Sequence, residues 1–396
     1  MRVIAIIGLL FLSLHVQGQN YYIYVTAESE DEVALVRFDG KNAVIEKTIQ
    51  VGFKPSEIEG PHGITVAPDG KHWFLSMAHG SPYGYLYKFA TGSDELVGQT
   101  TLGLFPASMQ ISTLTGLLYC VNFNLHGDMV PSTVSVVDPV SMTEITQVTV
   151  GTMPHGSRIT PDGKSQYSVG MMSGEVFEIN TLSQKVSRVL ALDETDHSKM
   201  DHSKMDHSKM DHSKMDHSKM DHSKMDHSNH EGMDHSAHKG MDHGKEHKMH
   251  HSATKPTWVT PHPINNKVYI AGNGSNEIIE VDLDEWKVTD RIPCGKGPYN
   301  IDITPDGKKL IVSYKSEAAT GIWDLKKRKE VARIPNSRKV THGVAVSTDS
   351  RYAFVSVEGI GGEPGSMDVI DLKSNKKVAS VDMGKQAGGI AFWKQN

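Results

Sequence analysis

Fourteen histidines and nine methionines fall between His197 and His251. From Asp196 the chain repeats DHSKM six times, then loses regularity as NHEGMDHSAHKGMDHGKEHKMHH. Imidazole nitrogen suits zinc, nickel, cobalt or copper, whereas thioether sulfur is soft and favours cuprous copper. A chain alternating the two can hold copper in either oxidation state. Copper ions are the expected ligand, with zinc or nickel as further candidates. The candidate ligands are His197, Met200, His202, Met205, His235, Met241, His243, His247, Met249, His250 and His251. Expansion of a tolerated surface loop would leave the same near-identical pentamers, and they would still bind metal. A period of five fits neither a helix nor a strand, and Asp, Ser and Lys leave no apolar face to bury. The segment, taken as 194–254, reads as a disordered insert that binds several ions weakly, each site assembled at an entropy cost.

Seven histidines lie outside the insert and the N-terminal segment: His62, His72, His79, His126, His155, His262 and His342. Three of them share one context. His62, His155 and His342 each sit in a Pro/Thr-His-Gly triplet that opens a longer repeat. The repeats read PHGITVAPDGKHWFLS from Pro61, PHGSRITPDGKSQYSV from Pro154, PYNIDITPDGKKLIVS from Pro298 and THGVAVSTDSRYAFVS from Thr341. Weaker copies begin at Pro106 and Pro256, and a seventh begins near Ala387. Start-to-start spacings are 45, 48, 102, 42, 43 and 46 residues, and removing the insert brings the outlier into line. Each unit reads as an alternating strand, a PDGK-type turn, a β-branched and aromatic strand, then two more strands.

Four-stranded units of 40 to 50 residues are propeller blades, so the expected fold is an all-β, seven-bladed propeller. The strand YYIYVT from Tyr21 completes the last blade, and the ring is closed by this N-terminal strand. An open two-sheet sandwich is the alternative. In a propeller the first strand of each blade lines the central channel. His62, His155 and His342 then stand at one channel mouth, in blades one, three and six, and form a candidate transition-metal site. The same motif can serve loop packing alone. The loops SMAHGSPYG, NFNLHGDMVP and GMMSGE open on the same face, which adds His79, His126, Met129, Met171 and Met172, with Met77 nearby. The insert joins the last strand of blade three to the first of blade four, a junction on that face. His262, in TPHPINN, reads as a turn residue.

The 396 residues carry a formal charge of −6, which offers no basic surface for nucleic acid. Residues 1–18 read as a signal peptide: one Arg, an apolar run from Val3 to Leu14, then VQG, with cleavage after Gly18. The remaining 19–396 form the propeller with its insert, and no membrane span is expected. The expected location is periplasmic or secreted. Cys120 and Cys294 fall in distant repeats and read as structural residues rather than a disulfide.

The chain resembles the YVTN β-propeller repeat family, whose namesake string is nearly present as YIYVT at Tyr22–Thr26. The resemblance covers the chain from Tyr21 onward except the insert, and it implies fold more than function. The insert is similar to the His/Met-rich segments of periplasmic copper-handling proteins. Propellers similar to this one form the catalytic domain of nitrous oxide reductase, where histidines at the channel mouth hold a copper cluster. Here the analogy runs only through His62, His155 and His342; the other cluster ligands and an electron-transfer copper domain are missing. Other similar propellers are lactone hydrolases, but no acid–base pair is evident at matched repeat positions, and Glu57 and Glu59 read as solvated loop charges.

These features point to copper buffering, carriage or delivery, with metal ions as ligands and a periplasmic copper-handling protein as partner. A lactonase-like hydrolase and a protein-interaction scaffold with incidental metal binding remain the alternatives.

Overall fold

The computed structural model describes residues 19–54, 56–80, 82–193 and 251–396. Among the described residues twenty-eight strands form seven antiparallel sheets of four, the seven blades of a propeller. The first strands of blades one to six are Pro61–Val66, Pro106–Ile111, Pro154–Ile159, Pro256–Pro261, Pro298–Ile303 and Val340–Val346. In blade seven Ala387–Gln395 pairs with Tyr21–Ala27, so the two ends of the described chain share one sheet. Each blade starts at the position the repeat predicts.

Burial follows the blade order. The inner three strands are mostly buried along their length, and the outermost alternate, as in Lys185–Ala191, whose residues are exposed and half-buried in turn. That pattern comes from a sheet with neighbours on both faces and water along its outer edge. The core lies between blades. Tyr24, Trp73, Leu75, Met77 and Tyr87 form one cluster joining blades seven and one. Trp73 stacks on Phe89 at 4.0 Å, and its indole N–H donates to Asp94 (3.0 Å). Met77, expected at the mouth, is fully buried in this cluster because its side chain falls on the blade-facing side of the strand.

The turns behave as their composition requires. Gly70, Gly163 and Gly307 of the PDGK turns have φ near +70°. In blade six Ser350 takes the same left-handed position, φ 60°, where the sequence has no glycine.

The His-Gly pairs have a packing reason. A Cβ on Gly63 would lie 1.8 Å from the Ala107 carbonyl oxygen of the next blade, and one on Gly156 would lie 2.4 Å from the Thr257 oxygen. Adjacent inner strands therefore approach too closely for any side chain there. Hydroxyls from neighbouring blades fix the histidine main chain: Ser108 donates to the His155 carbonyl (2.6 Å) and Ser313 to that of His342 (2.7 Å).

The insert boundary moves. Residues 251–254 belong to the propeller, with Ser252 and Thr254 buried and the Thr254 N–H donating to Asp193 (2.9 Å). Ser252 N–H donates to the Met172 carbonyl (3.0 Å), so the chain leaves at Asp193 and re-enters beside the Met171–Met172 turn. Among the described residues no helix is long and apolar enough to cross a membrane.

Candidate metal centre at the channel mouth

The second residue of each repeat, counted from Pro61, Pro106, Pro154, Pro256, Pro298, Thr341 and Ala387, faces the channel mouth. From blade one to blade seven the ring reads His62, Ala107, His155, Thr257, Tyr299, His342 and Gly388. The three histidines converge: the His62 ring centre is 5.9 Å from that of His155 and 6.0 Å from that of His342. Three imidazoles on one ion, bound at about 2.0–2.1 Å, would place ring centres about 5–5.5 Å apart. The two spacings centred on His62 are wider by less than about 1 Å. Among the described residues, however, no three His, Cys, Asp or Glu side chains already have their donor atoms arranged around a common ion position. Metal binding would require the rings to move inward.

Each histidine is held differently. Glu28, buried just past the strand Tyr21–Ala27, accepts from Nδ1 of His62 (2.9 Å) and from Nε2 of His79 (2.8 Å). Burial alone would raise its pKa, but His62 and His79 hold its carboxyl well below the usual carboxylate range. The bond to Glu28 raises the His79 pKa. A carboxylate on Nδ1 directs the other nitrogen, Nε2, toward metal binding, the arrangement common around metal-bound imidazoles.

His155 gives its Nδ1–H to the Thr257 carbonyl (3.3 Å), which leaves Nε2 as the acceptor of the Tyr299 hydroxyl (2.9 Å). Burial pushes its pKa down to about 3. His342 is lowered well below its usual value, again chiefly by burial. Both are therefore neutral at physiological pH, the form that ligates.

All three histidines line one cavity of about 40 Å³. Three buried polar atoms on its wall lack a partner among the described residues: Nδ1 of His342, Nε1 of Trp258 and Oδ1 of Asn300. The space exceeds the roughly 10–15 Å³ needed for one water. The donor set, its protonation and the polar wall fit a metal ion with a water ligand. The histidines His62, His155 and His342 would hold it.

The remaining candidates divide. His79 joins the network through Glu28. Phe105, at φ 54°, wedges its ring against His62 (5.2 Å), His79 (5.7 Å) and His126 (5.6 Å), so His126 reaches the cluster only through an aromatic edge. Met171 and Met172 pack on the apolar group of Phe105, Phe123 and Met153. Met129 is exposed on its loop and touches none of the three imidazoles. His251 is exposed at the edge of the described chain. His197, Met200, His202, Met205, His235, Met241, His243, His247, Met249 and His250 lie outside the described residues.

Several site residues were not anticipated. Tyr299 occupies the histidine position of blade five, visible in the PYN that replaces PHG, and it forms with His155 a hydrogen-bonded pair at matched repeat positions. Glu28, Lys315 and Glu358 form a second tier, each one residue beyond the register partner of the first residue of its repeat, Ala387, Pro298 and Thr341. Glu358 stands 3.6 Å from His342 and 3.7 Å from Lys315, and burial raises its pKa. Lys315 lies 4.2 Å over the Tyr299 ring. The same loop position in each repeat was the available signal.

Glu59 corrects an expectation. It is buried and accepts from the main-chain N–H of Phe53 and of Lys54 (3.0 Å), so it shapes the loop instead of being solvated. Glu57 is exposed and pairs with Lys54. His262 is a turn residue, its Nδ1 accepting from Ile264 and Asn265 N–H. Cys120 and Cys294 are free, and burial pushes the Cys294 thiol up to about 12, which removes it as a ready thiolate.

No protein-family model matches the chain, and neither does any curated protein sequence. Solved structures do share its fold. Hydrazine synthase of Kuenenia stuttgartiensis aligns at TM-score 0.59 and 17% identity, over 87% of this chain and 92% of that one. A functionally unknown protein from Desulfotomaculum acetoxidans aligns at TM-score 0.64 and 11% identity, over 94% of this chain and 98% of that one. At these identities the likeness is one of fold: this chain is a seven-bladed propeller of four-stranded blades.

Proposed function

We propose that this is an exported metal-binding propeller that buffers, carries or delivers copper ions in the periplasm. The observation that carries the reading is the convergence of His62, His155 and His342 around one polar cavity. Two of these imidazoles are kept neutral and the third is oriented by Glu28. The His/Met tract supports copper over zinc, since thioether sulfur is wasted on zinc. The tract captures ions weakly, and its junction beside Met172 raises their local concentration near the mouth. The N-terminal segment 1–18 supports export, and the YVTN-like repeats fit that setting.

The test is copper content and affinity of two proteins. One lacks residues 194–250. The other also carries His62, His155 and His342 changed to Ala. The reading expects the first to keep one tightly bound copper and the second to lose about a hundredfold or more in affinity. Equal weak binding by both would remove the mouth site and leave the tract as the only metal-binding element.

A further inference from the structure

The other end of the channel carries a second site with different chemistry. The fifth residue of each repeat, counted from Pro61, Pro106, Pro154, Pro256, Pro298, Thr341 and Ala387, faces it. This ring is polar in blades one to five, with Thr65, Gln110, Arg158, Thr260 and Asp302, and reduced to methyl groups in blades six and seven, with Ala345 and Ala391. It encloses a cavity of about 400 Å³, within the size range of small-molecule sites. Arg158 lines both this cavity and the small one under the histidines, so its side chain separates the two.

The two charged groups of this ring, in blades three and five, do not pair. Arg158 donates to the Ser157 carbonyl (3.0 Å) and lies 4.8 Å over the Trp258 ring, which leaves most of its N–H donors without an acceptor among the described residues. Asp302 accepts from the Ile303 N–H (2.9 Å) and has no cation bonded to it among the described residues. Both side chains are half-buried in the cavity wall and form no ion pair with each other among the described residues, so both are available to a ligand of complementary charge. Opposite them the wall is apolar, formed by Val344, Ile390 and Phe392.

We propose that this cavity binds a zwitterion with an apolar side chain, an aliphatic α-amino acid. Its carboxylate meets the Arg158 guanidinium, its ammonium meets the Asp302 carboxylate, and its side chain lies on Ile390 and Phe392. The proposal does not rest on the metal reading: Arg158 and Asp302 make no hydrogen bond to His62, His155 or His342.

The test uses the full chain in chelator, with calorimetry and thermal unfolding. L-leucine is compared with 4-methylpentanoate, which lacks the ammonium, and isopentylamine, which lacks the carboxylate. Leucine should bind one to one and raise the melting temperature, and each analogue should bind about tenfold to a hundredfold more weakly. Arg158→Gln and Asp302→Asn should each weaken leucine by a similar factor. Absence of leucine binding up to about 10 mM, a weaker affinity than small-molecule sites of this kind show, overturns the proposal. So does equal binding of 4-methylpentanoate, or leucine affinity unchanged in both variants. If either variant fails to fold, the analogue series on the unaltered protein still decides.

Discussion

The two ends of the channel are built from the same seven strands, three residues apart, and they do opposite things with buried polarity. At the mouth, imidazoles, carboxylate and phenol bond to one another: Glu28 to His62 and His79, Tyr299 to His155. At the far end Arg158 and Asp302 stand apart in a cavity ten times larger, about 400 Å³ against about 40 Å³. A propeller offers one side chain per blade at each level. Chemistry arises where individual blades depart from the small residues that merely close the ring. The mouth is a preorganised donor cluster, and the far end is a receptor waiting for charge.

The largest perturbation strikes both ends at once. Gly63→Ala forces a methyl to within 1.8 Å of the Ala107 carbonyl oxygen, so blades one and two must separate. We expect a loss of about 3 kcal/mol or more in chemical denaturation, and little loss would mean the inner strands slide freely. Glu28→Gln acts on the mouth alone. It removes the carboxylate that orients His62, so copper affinity should fall about tenfold to a hundredfold while leucine binding is unchanged. Unchanged copper affinity would make Glu28 a structural bridge to His79 only.

Acid titration of the metal-free protein is a milder probe. The unfolded chain protonates its histidines near 6.5, whereas folded His155 protonates only near about 3, and His342 is displaced in the same direction. Stability should therefore be full above about pH 6.5 and decline as pH falls toward 3. His79 works the other way: its raised pKa stabilises below 6.5, and that part is lost as pH rises through its folded pKa. In His155→Ala the decline should flatten; an unchanged slope would assign the acid loss elsewhere. The smallest effect is expected from Tyr299→Phe. It removes the donor that occupies Nε2 of His155, so copper should bind a few-fold more tightly, at a stability cost of about 1 kcal/mol. Weaker copper binding would place the phenol oxygen itself among the ligands.

Much of this was legible in the chain. The spacing of the PDGK turns and of the Pro/Thr-His-Gly triplets specified seven blades and their register. Because the triplet holds one place in each repeat, it also put three histidines at one level of the channel. Composition distinguished soft from hard donors in the insert. These are properties of periodicity and residue type, which a linear sequence carries in full.

Only the folded ring decided the rest. Whether His62 comes within 6 Å of both His155 and His342 depends on how closely the inner strands approach, and that is set by glycines packed against carbonyls of the next blade. Glu28 reaches His62 across 34 positions, and Tyr299 reaches His155 across 144. Local patterns do not encode such distances. Met77 shows the converse: its position in a mouth-side loop string suggested a place at the mouth, but the strand's side-chain alternation turned it into the core. The sequence by itself determined the number of blades and the residue types each level receives. The tertiary structure alone determined which of those residues meet, because the ring closes distances that the chain keeps far apart.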